Sequence, residues 1–210
     1  MRRLVLTGCL LLALAFGATA QDAYLLPSFA DGIVFFRGQA PAKGKLNINA
    51  IDHTLRFMDA SGKELAAANP ENIAKVQIDT ALFLHYQDYF YRMYPIKGDV
   101  GVALLRNAHV VRDVKQGAYG TTSQTSAIKG SGTMYVDGIL YNLDNDKDLN
   151  LSVTETLFMY KGDTVYPLTK RSLKKAFPDK KDQIEAFFKS GGSVPEDIAN
   201  VKAFISGWME

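Results

Sequence analysis

The sequence has very little of what covalent catalysis and metal binding usually require. Its 210 residues include a single cysteine, Cys9. One cysteine cannot form an intrachain disulfide, and Cys9 lies in a segment that we expect to be removed. The remaining chain would have no thiol nucleophile and no thiolate metal site. It must therefore be held together by its own core, for which 47% apolar residues are sufficient.

Histidines are also scarce, and the usual catalytic motifs are missing. There are three histidines, His53, His85 and His109. They form no HExxH pattern and no pair at helical spacing, and isolated histidines are mostly surface or satisfied core residues. No GxSxG nucleophile motif and no Gly-Lys-Ser/Thr phosphate loop is present. We predict no catalytic residues, although a hydrolase built from carboxylates distant in sequence stays open as an alternative.

The chain also has no large excess of positive or negative charge. The chain carries 24 basic and 22 acidic residues, and losing Arg2 and Arg3 would leave 22 of each. A neutral protein has no general attraction for nucleic acid or anionic lipid. The longest apolar run, residues 4–16, is also shorter than the roughly 20 residues needed to cross a bilayer. We therefore expect neither a nucleic-acid partner nor a membrane span.

The first twenty residues have the pattern of a secretory signal peptide. Arg2 and Arg3 precede the apolar run, and Ala18-Thr19-Ala20 forms a cleavage site. This predicts a mature protein that begins at Gln21 and is exported to the periplasm or the extracellular space. The alternative is a lipoprotein anchored through Cys9, which the short distance from Arg3 to Cys9 disfavours.

Most of the mature chain has the pattern of short antiparallel strands. Residues 31–168 alternate apolar and polar side chains between tight turns. Leu46 and Ile48 are predicted to face inward and Asn47 and Asn49 outward. Hairpin turns are predicted at 87–88, 106–107, 137–138 and 161–163. We predict a mainly β fold, an antiparallel barrel or sandwich of about ten strands, in a domain spanning 21–168.

Two segments depart from this pattern. Eleven of the seventeen residues of 117–133 are Gly, Ser or Thr, which predicts a mobile surface loop. Residues 169–210 have helical periodicity and are predicted to form helices packed on the β domain. Thr169, Asp179 and a Ser193–Glu196 capping box are the predicted helix starts, and Trp208 is a predicted anchor.

A run of acidic residues suggests a calcium loop. Side-chain oxygens of Asp144, Asp146, Asp148, Ser152 and Glu155 fall at the ligand spacing of an EF-hand loop. Leu149 occupies the position that requires glycine in such a loop, and the flanking residues have strand patterns rather than helical ones. The alternative is an acidic loop that enters a strand near Leu151. No other cofactor is predicted.

A cluster of aromatic residues suggests a ligand-binding surface. Tyr86, Tyr89, Tyr91 and Tyr94 lie within nine residues of one another, together with Phe90. Tyrosine suits sugars and other flat ligands because an apolar ring carries a polar hydroxyl. The alternative is that these rings form core contacts and cross-strand pairs.

The layout of the chain resembles that of uncharacterised exported β-rich proteins of Gram-negative bacteria. The residues that carry this resemblance are at 31–38, 44–79, 117–133 and 172–189. It implies an exported β-rich protein with a helical tail, and no activity or cofactor. We predict a non-enzymatic cell-envelope module that binds a small molecule, a glycan or a protein partner. The alternative is a structural or assembly protein of the envelope.

Overall fold

The computed structural model describes residues 23–110, 133–136, 139–142 and 151–209. These residues include twelve strands: β1 Ala30–Phe36, β2 Ala42–Ile48, β3 Leu55–Met58, β4 Glu64–Ala66, β5 Ile73–Ile78, β6 Ala81–Tyr86, β7 Tyr89–Lys97, β8 Val100–Val110, β9 Thr133–Val136, β10 Ile139–Asn142, β11 Leu151–Lys161 and β12 Thr164–Pro167. Three α-helices follow: α1 Lys170–Ala176, α2 Lys181–Lys189 and α3 Ile198–Ser206. The mainly β fold with a C-terminal helical segment is therefore confirmed.

Ten of the strands form one antiparallel sheet. Their order is β12-β11-β8-β7-β6-β5-β1-β2-β3-β4, and β9 with β10 forms a separate two-stranded sheet. In the described part of the chain, β12 and β4 pair only on one side, so the sheet is not closed into a barrel. Of the two predicted architectures, the barrel is therefore the wrong one.

The apolar side chains form three cores on the two faces of this sheet. The N-terminal core contains Val34, Leu46, Ile48, Leu55, Ile73, Val76, Ile78, Ala81, Phe83 and Phe90. The helix-covered core contains Val100, Val102, Met159, Leu173, Ala176, Phe177, Ile184, Val201 and Ile205. The tyrosine core contains Leu84, Tyr91, Met93, Ala103, Leu105, Tyr160 and Val165. Strand registers place the first two cores on one face and the tyrosine core on the other.

Contacts between distant strands show that the sheet is strongly curved. The Lys75 ammonium lies 3.2 Å from the Asp163 carboxylate, although three strands, β6, β7 and β8, separate β5 from the hairpin of β11 and β12. Lys75 is paired with Leu84 of the tyrosine core, so the sheet bends toward that core. The backbone nitrogen of Ala108 also donates a 2.9 Å hydrogen bond to the carbonyl of Ala50. This bond brings the end of β8 to the end of β2.

Helices α1, α2 and α3 pack on β8 and β11 and complete the helix-covered core. The Thr169 hydroxyl caps α1 by accepting a 3.3 Å hydrogen bond from the Ser172 backbone nitrogen, as predicted. The other two predicted caps are wrong. Residues Pro178–Lys180 form a 3-10 turn, and α2 begins after Lys180 without a side-chain cap. Asp197, rather than Ser193, caps α3. Trp208 packs on this core with Phe204, their ring centres 5.7 Å apart.

Two details of the strand prediction are also wrong. β8 runs through Arg106 and Asn107 without a turn, because β11 pairs with it along its whole length. Asn47 and Asn49 are each only 1% exposed, so they do not face water. Asn47 Oδ1 accepts hydrogen bonds from the backbone nitrogens of Ile48 and Leu26, at 2.8 and 3.2 Å. The bond to Leu26 and the bridge between Tyr24 and Asn49 bring the chain before β1 against β2, which buries both asparagines.

Several predictions fall on residues outside the described ranges. They are the signal peptide 1–20, the Cys9 anchor, the hairpin turn predicted at 137–138, the predicted calcium ligands Asp144, Asp146 and Asp148, and the predicted mobile loop 117–133 except for Thr133, which is the first residue of β9. Among the residues that the structure does describe, no helix is long and apolar enough to cross a membrane.

A candidate ligand pocket in the N-terminal core

A pocket of about 490 Å³ opens on the N-terminal core. It lies between β1, β2 and β3 on one side and the connection from β4 to β5 on the other. Its lining is mostly apolar: Val34, Phe36, Gln39, Ala42, Lys43, Gly44, Leu46, Leu55, Phe57, Met58, Ala67, Ala68, Asn69, Asn72 and Ile73.

The pocket exists because an irregular segment, rather than a strand or helix, covers this part of the sheet. Asn69 precedes Pro70, whose ring excludes a helical residue before it. The chain therefore leaves β4 without forming a long helix and makes one 3-10 turn at Pro70–Asn72 before β5 begins. Such a short turn has no apolar stripe that could fill the concave surface below it. Unfilled space remains between this turn and the strands.

Buried residues form the floor of the pocket and exposed polar ones its mouth. Val34, Leu46, Leu55 and Ile73 are no more than 5% exposed. Gln39 and Asn69 are exposed, and Asn72 is half-buried. The pocket is thus apolar at the bottom and polar at the opening, the arrangement typical of sites for small molecules.

Arg37 holds the irregular segment in place. Its Nη1 donates hydrogen bonds to the carbonyl oxygens of Glu71 and Ile73, at 2.7 and 2.5 Å. Its Nη2 donates to the carbonyl of His85 at 3.2 Å, and its backbone nitrogen donates to the carbonyl of Asn72 at 2.8 Å. One guanidinium therefore satisfies carbonyls of the 3-10 turn, of β5 and of β6, and fixes the wall that carries Asn72 and Ile73.

His85 supports the same wall from inside the protein. It is 4% exposed, and its ring centre lies 4.6 Å from that of Phe90. Its Nδ1 is 3.2 Å from the Ile73 carbonyl oxygen, which suits a neutral ring that donates its Nδ1–H. Burial lowers the pKa of His85, against an opposing effect of this hydrogen bond. His85 is therefore a neutral structural group, as expected for an isolated histidine.

The described lining residues include no imidazole, carboxylate or thiol group. No histidine, cysteine, aspartate or glutamate of the described chain lines the pocket, and Lys43 is its one charged residue. General acid–base catalysis needs a titratable group within hydrogen-bond reach of the substrate. The described lining can therefore surround a ligand with apolar side chains and offer it neutral amide groups.

The four predicted ligand-binding tyrosines lie elsewhere and do not share one surface. Tyr86, Tyr89 and Tyr91 are on the face of the tyrosine core, whereas Tyr94 is on the opposite face beside the helix-covered core. Tyr91 is 5% exposed and packs on Phe158, with ring centres 5.3 Å apart. Burial raises the pKa of Tyr91, with smaller contributions from Tyr89 and Tyr86. A ligand-binding role for these tyrosines stays a prediction.

The predicted calcium ligands are only partly described. Ser152 and Glu155 are exposed residues of β11, while Asp144, Asp146 and Asp148 fall outside the described ranges. Three positions separate Ser152 from Glu155 on a strand, so their side chains lie on opposite faces. No group of three His, Cys, Asp or Glu within the described ranges could hold a metal ion. Calcium binding stays a prediction.

The other two histidines lie near each other at the end of β8. Tyr89 contacts the His53 ring, with centres 4.6 Å apart, and His109 is exposed on β8. Burial lowers the pKa of His53; Asp52 opposes this effect and the nearby His109 adds to it. His85 lies in the N-terminal core, so the three histidines do not form one cluster.

Comparison with family models, with curated proteins and with solved structures finds no match for this chain. Sequence reasoning missed the pocket, although Asn69-Pro70 had been recognisable as a break between strands. That break could have indicated an irregular cover over an apolar sheet face.

Proposed function

We propose that this protein is an exported, non-enzymatic binding module that holds a small, largely apolar molecule in the pocket of the N-terminal core. The observation that carries the proposal is a cavity of about 490 Å³ with an apolar floor and a polar mouth. Ligand pockets commonly have volumes of about 300–1,000 Å³ and this distribution of polarity.

The size of the cavity supports a binding role over a purely structural one. Protein interiors are packed like organic crystals and leave few voids larger than a water molecule. Apolar space of this kind attracts apolar ligands, since water gains few hydrogen bonds there. The floor residues Val34, Leu46, Leu55 and Ile73 offer no side-chain hydrogen bond to water, so an apolar ligand is favoured over solvent.

The chemistry of the walls supports binding over catalysis. The described lining offers neutral side-chain amide groups but no carboxylate or imidazole, so it can orient a ligand without transforming it. A structural or assembly role in the envelope is the alternative. Failure of the purified protein to bind any apolar probe would favour that alternative.

The test is titration of the purified protein with N-phenyl-1-naphthylamine, a neutral fluorophore that brightens in apolar surroundings. We expect saturable binding to the wild-type protein. The variant Ala67→Trp places a large ring where a small lining residue stands, and we expect it to abolish binding by filling the pocket. Ala203→Trp is the matched control, because Ala203 is exposed on α3 and does not line the pocket.

The variants separate the possible outcomes, provided that thermal melting shows both to be folded. Binding lost in Ala67→Trp and kept in Ala203→Trp supports the proposed function. Absence of saturable binding to the wild-type protein contradicts it. Equal binding by both variants would place the fluorophore outside the pocket and would also contradict the proposal.

A further inference from the structure

We infer that the ligand is an N-acyl amino acid, a molecule in which an amide joins an apolar tail to an amino-acid residue. The tail lies on the apolar floor of the pocket, and the main chain of Lys43 binds the amino-acid part at the edge of β2. This inference rests on the proposed function and specifies the class of molecule that the same site would take.

Lys43 lines the pocket with its main chain rather than with its side chain. Ala42 and Leu46 line the pocket from the face of β2 that carries the N-terminal core. Side chains alternate along a strand, so the Lys43 side chain points to the opposite face. Ala42 and Lys43 are both exposed, and Gly44 has no side chain to cover the strand. The Lys43 main chain is therefore accessible from the pocket.

The N–H and C=O groups of Lys43 point away from β1, towards the side of β2 on which β3 lies. The Asn49 N–H donates a 3.0 Å hydrogen bond to the Thr54 carbonyl, which fixes the pattern between β2 and the chain of β3. Hydrogen-bonded pairs recur at every second residue of an antiparallel ladder, so Asn47 and Lys45 also bond to β3. Lys43 is the next residue of this series.

The strand β3 ends before it reaches these two groups. Its last residue, Met58, pairs with Lys45, and the chain then turns towards β4. In this turn the Asp59 N–H donates to the Lys63 carbonyl at 2.9 Å, so the turn is bonded within its own hairpin. Within the described ranges, neither the N–H nor the C=O of Lys43 has a hydrogen-bond partner. Both groups are therefore available to a ligand.

A donor and an acceptor that point the same way select a particular chemical unit. A single trans amide cannot bond to both, because its own N–H and C=O point in opposite directions. An extended amino-acid residue can do so, because its N–H and C=O point to one side and exchange two bonds with an opposing residue. Acylation of that residue makes its N–H an amide N–H and attaches the tail.

The floor of the pocket accounts for the apolar tail. It consists of buried Val34, Leu46, Leu55 and Ile73, which offer no hydrogen bond. A molecule with polar groups along its whole length would lose hydrogen bonds to water there without replacing them. In an N-acyl amino acid the polar groups are confined to one end, where the main chain of Lys43 replaces the water that they lose.

The test compares two probes that differ only in the group presented to the Lys43 carbonyl. N-Decanoylglycine methylamide carries an amide N–H, and its ester analogue has an oxygen in that place. Each competes with N-phenyl-1-naphthylamine for the wild-type protein. We expect the amide to bind about fivefold more tightly, the effect of one hydrogen bond. A pocket that recognises only apolar surface would bind the ester at least as tightly, because an amide N–H costs more to remove from water.

Three variants of β2 assign this preference to the main chain of Lys43. Lys43→Pro removes its N–H, and proline is tolerated at a strand edge whose N–H has no partner. We expect this variant to melt close to the wild-type temperature, to bind the amide probe at least about fivefold more weakly and to bind the fluorophore unchanged. Lys45→Pro removes an N–H that bonds to β3, and it should melt well below the wild-type protein. Lys43→Gln changes only the side chain and should keep every affinity.

The outcomes distinguish failure of this inference from failure of the proposed function. If the fluorophore does not bind the wild-type protein, the proposed function itself is wrong. If the fluorophore binds but the ester binds as tightly as the amide, the pocket takes apolar molecules and the N-acyl amino acid is wrong. The inference is also wrong if Lys43→Pro melts as low as Lys45→Pro, if it keeps the wild-type affinity for the amide, or if Lys43→Gln loses the preference.

Discussion

The N-terminal core and the helix-covered core lie on the same face of one sheet, yet they are completed in different ways. Helices α1, α2 and α3 cover the second core and contribute Leu173, Ile184 and Ile205, each 0% exposed. The connection from β4 to β5, with its single 3-10 turn, covers the first and leaves about 490 Å³ open. An amphipathic helix presents a continuous apolar stripe to a sheet, whereas a short irregular segment does not. The open region therefore arises from its cover, because the strands below both regions contribute buried apolar side chains.

The largest expected effect comes from making the same truncation in both cores. Leu173→Ala removes a side chain from the filled core and should cost about 2–5 kcal/mol of unfolding free energy. Leu55 is nearly as buried, at 2% exposed, but it lines the pocket. Leu55→Ala should cost at least about 1 kcal/mol less than Leu173→Ala, because a side chain beside a cavity has fewer contacts to lose.

Urea unfolding of both variants measures this difference, and the slope of free energy against urea should stay at the wild-type value. Equal losses would mean that the pocket is closed in solution and that the two cores are filled alike.

A second test adds a methyl group to each region. A Cβ on Gly101 would lie 2.5 Å from the Tyr94 carbonyl oxygen and 2.6 Å from the Tyr160 ring. Gly101→Ala should therefore destabilise the protein by about 1–3 kcal/mol through overpacking. A Cβ on Gly44, in the pocket wall, would meet nothing nearer than the Leu46 Cδ2 at 3.7 Å. Gly44→Ala should be neutral or stabilise by up to about 1 kcal/mol, because alanine loses less backbone entropy in a strand.

Thermal melting compares these two glycine variants directly. A Gly44→Ala variant that melts as far below the wild-type protein as Gly101→Ala would show that the pocket wall tolerates no added volume.

The smallest expected effect concerns how the free energy of unfolding depends on pH, which should differ between Glu185 in the helical region and His85 beside the pocket. Hydrogen bonds from Lys174 and Lys170 lower the pKa of Glu185 from its usual 4.5 to about 2. Because the folded-state pKa is the lower one, Glu185 stabilises the fold above pH 4.5, and this contribution is lost as the pH falls from 4.5 to about 2. Its exposure and salt screening keep the contribution small.

His85 should affect the free energy of unfolding at a higher pH than Glu185 does. Burial lowers its pKa below the usual 6.5. The unfolded chain therefore takes up the proton first, and stability decreases as the pH falls below 6.5. Unfolding free energies measured from pH 7 to pH 2 should show less decrease below pH 4.5 in Glu185→Gln and less decrease just below pH 6.5 in His85→Gln. Identical pH profiles for wild type and variants would contradict both assignments.

Local patterns in the sequence predicted the hairpins that depend on a local turn. The turn at Gln87 and Asp88 is where it was expected, and Gln87 adopts the positive φ of 55° that such a turn requires. The turn expected at Arg106 and Asn107 is absent, because Glu155 and Thr154 of β11 pair with these two residues and extend the strand. The pairing with β11 outweighs the local turn propensity of these two residues, and a local sequence pattern contains no information about such distant pairing.

The pocket could not be predicted because it depends on the order of the strands. Alternation indicates which residues of β2 share a face, but not that β1 pairs with β5 as well as with β2. The outward prediction for Asn47 failed for the same reason: its partner is the backbone of Leu26, far away in the sequence. Long-range pairing therefore decides both which polar residues are buried and where space is left open.

The position of β1 between β2 and β5 has a consequence for how the chain folds. The hairpins of β2 with β3 and of β3 with β4 can form from neighbouring residues, but β1 can join β5 only after the intervening chain has closed a large loop. Closing that loop costs entropy before its contacts compensate, which is why sheets rich in distant pairings fold slowly. Until β1 docks, β5 is a bare edge that a second molecule could pair with, so aggregation competes with folding most strongly at that stage.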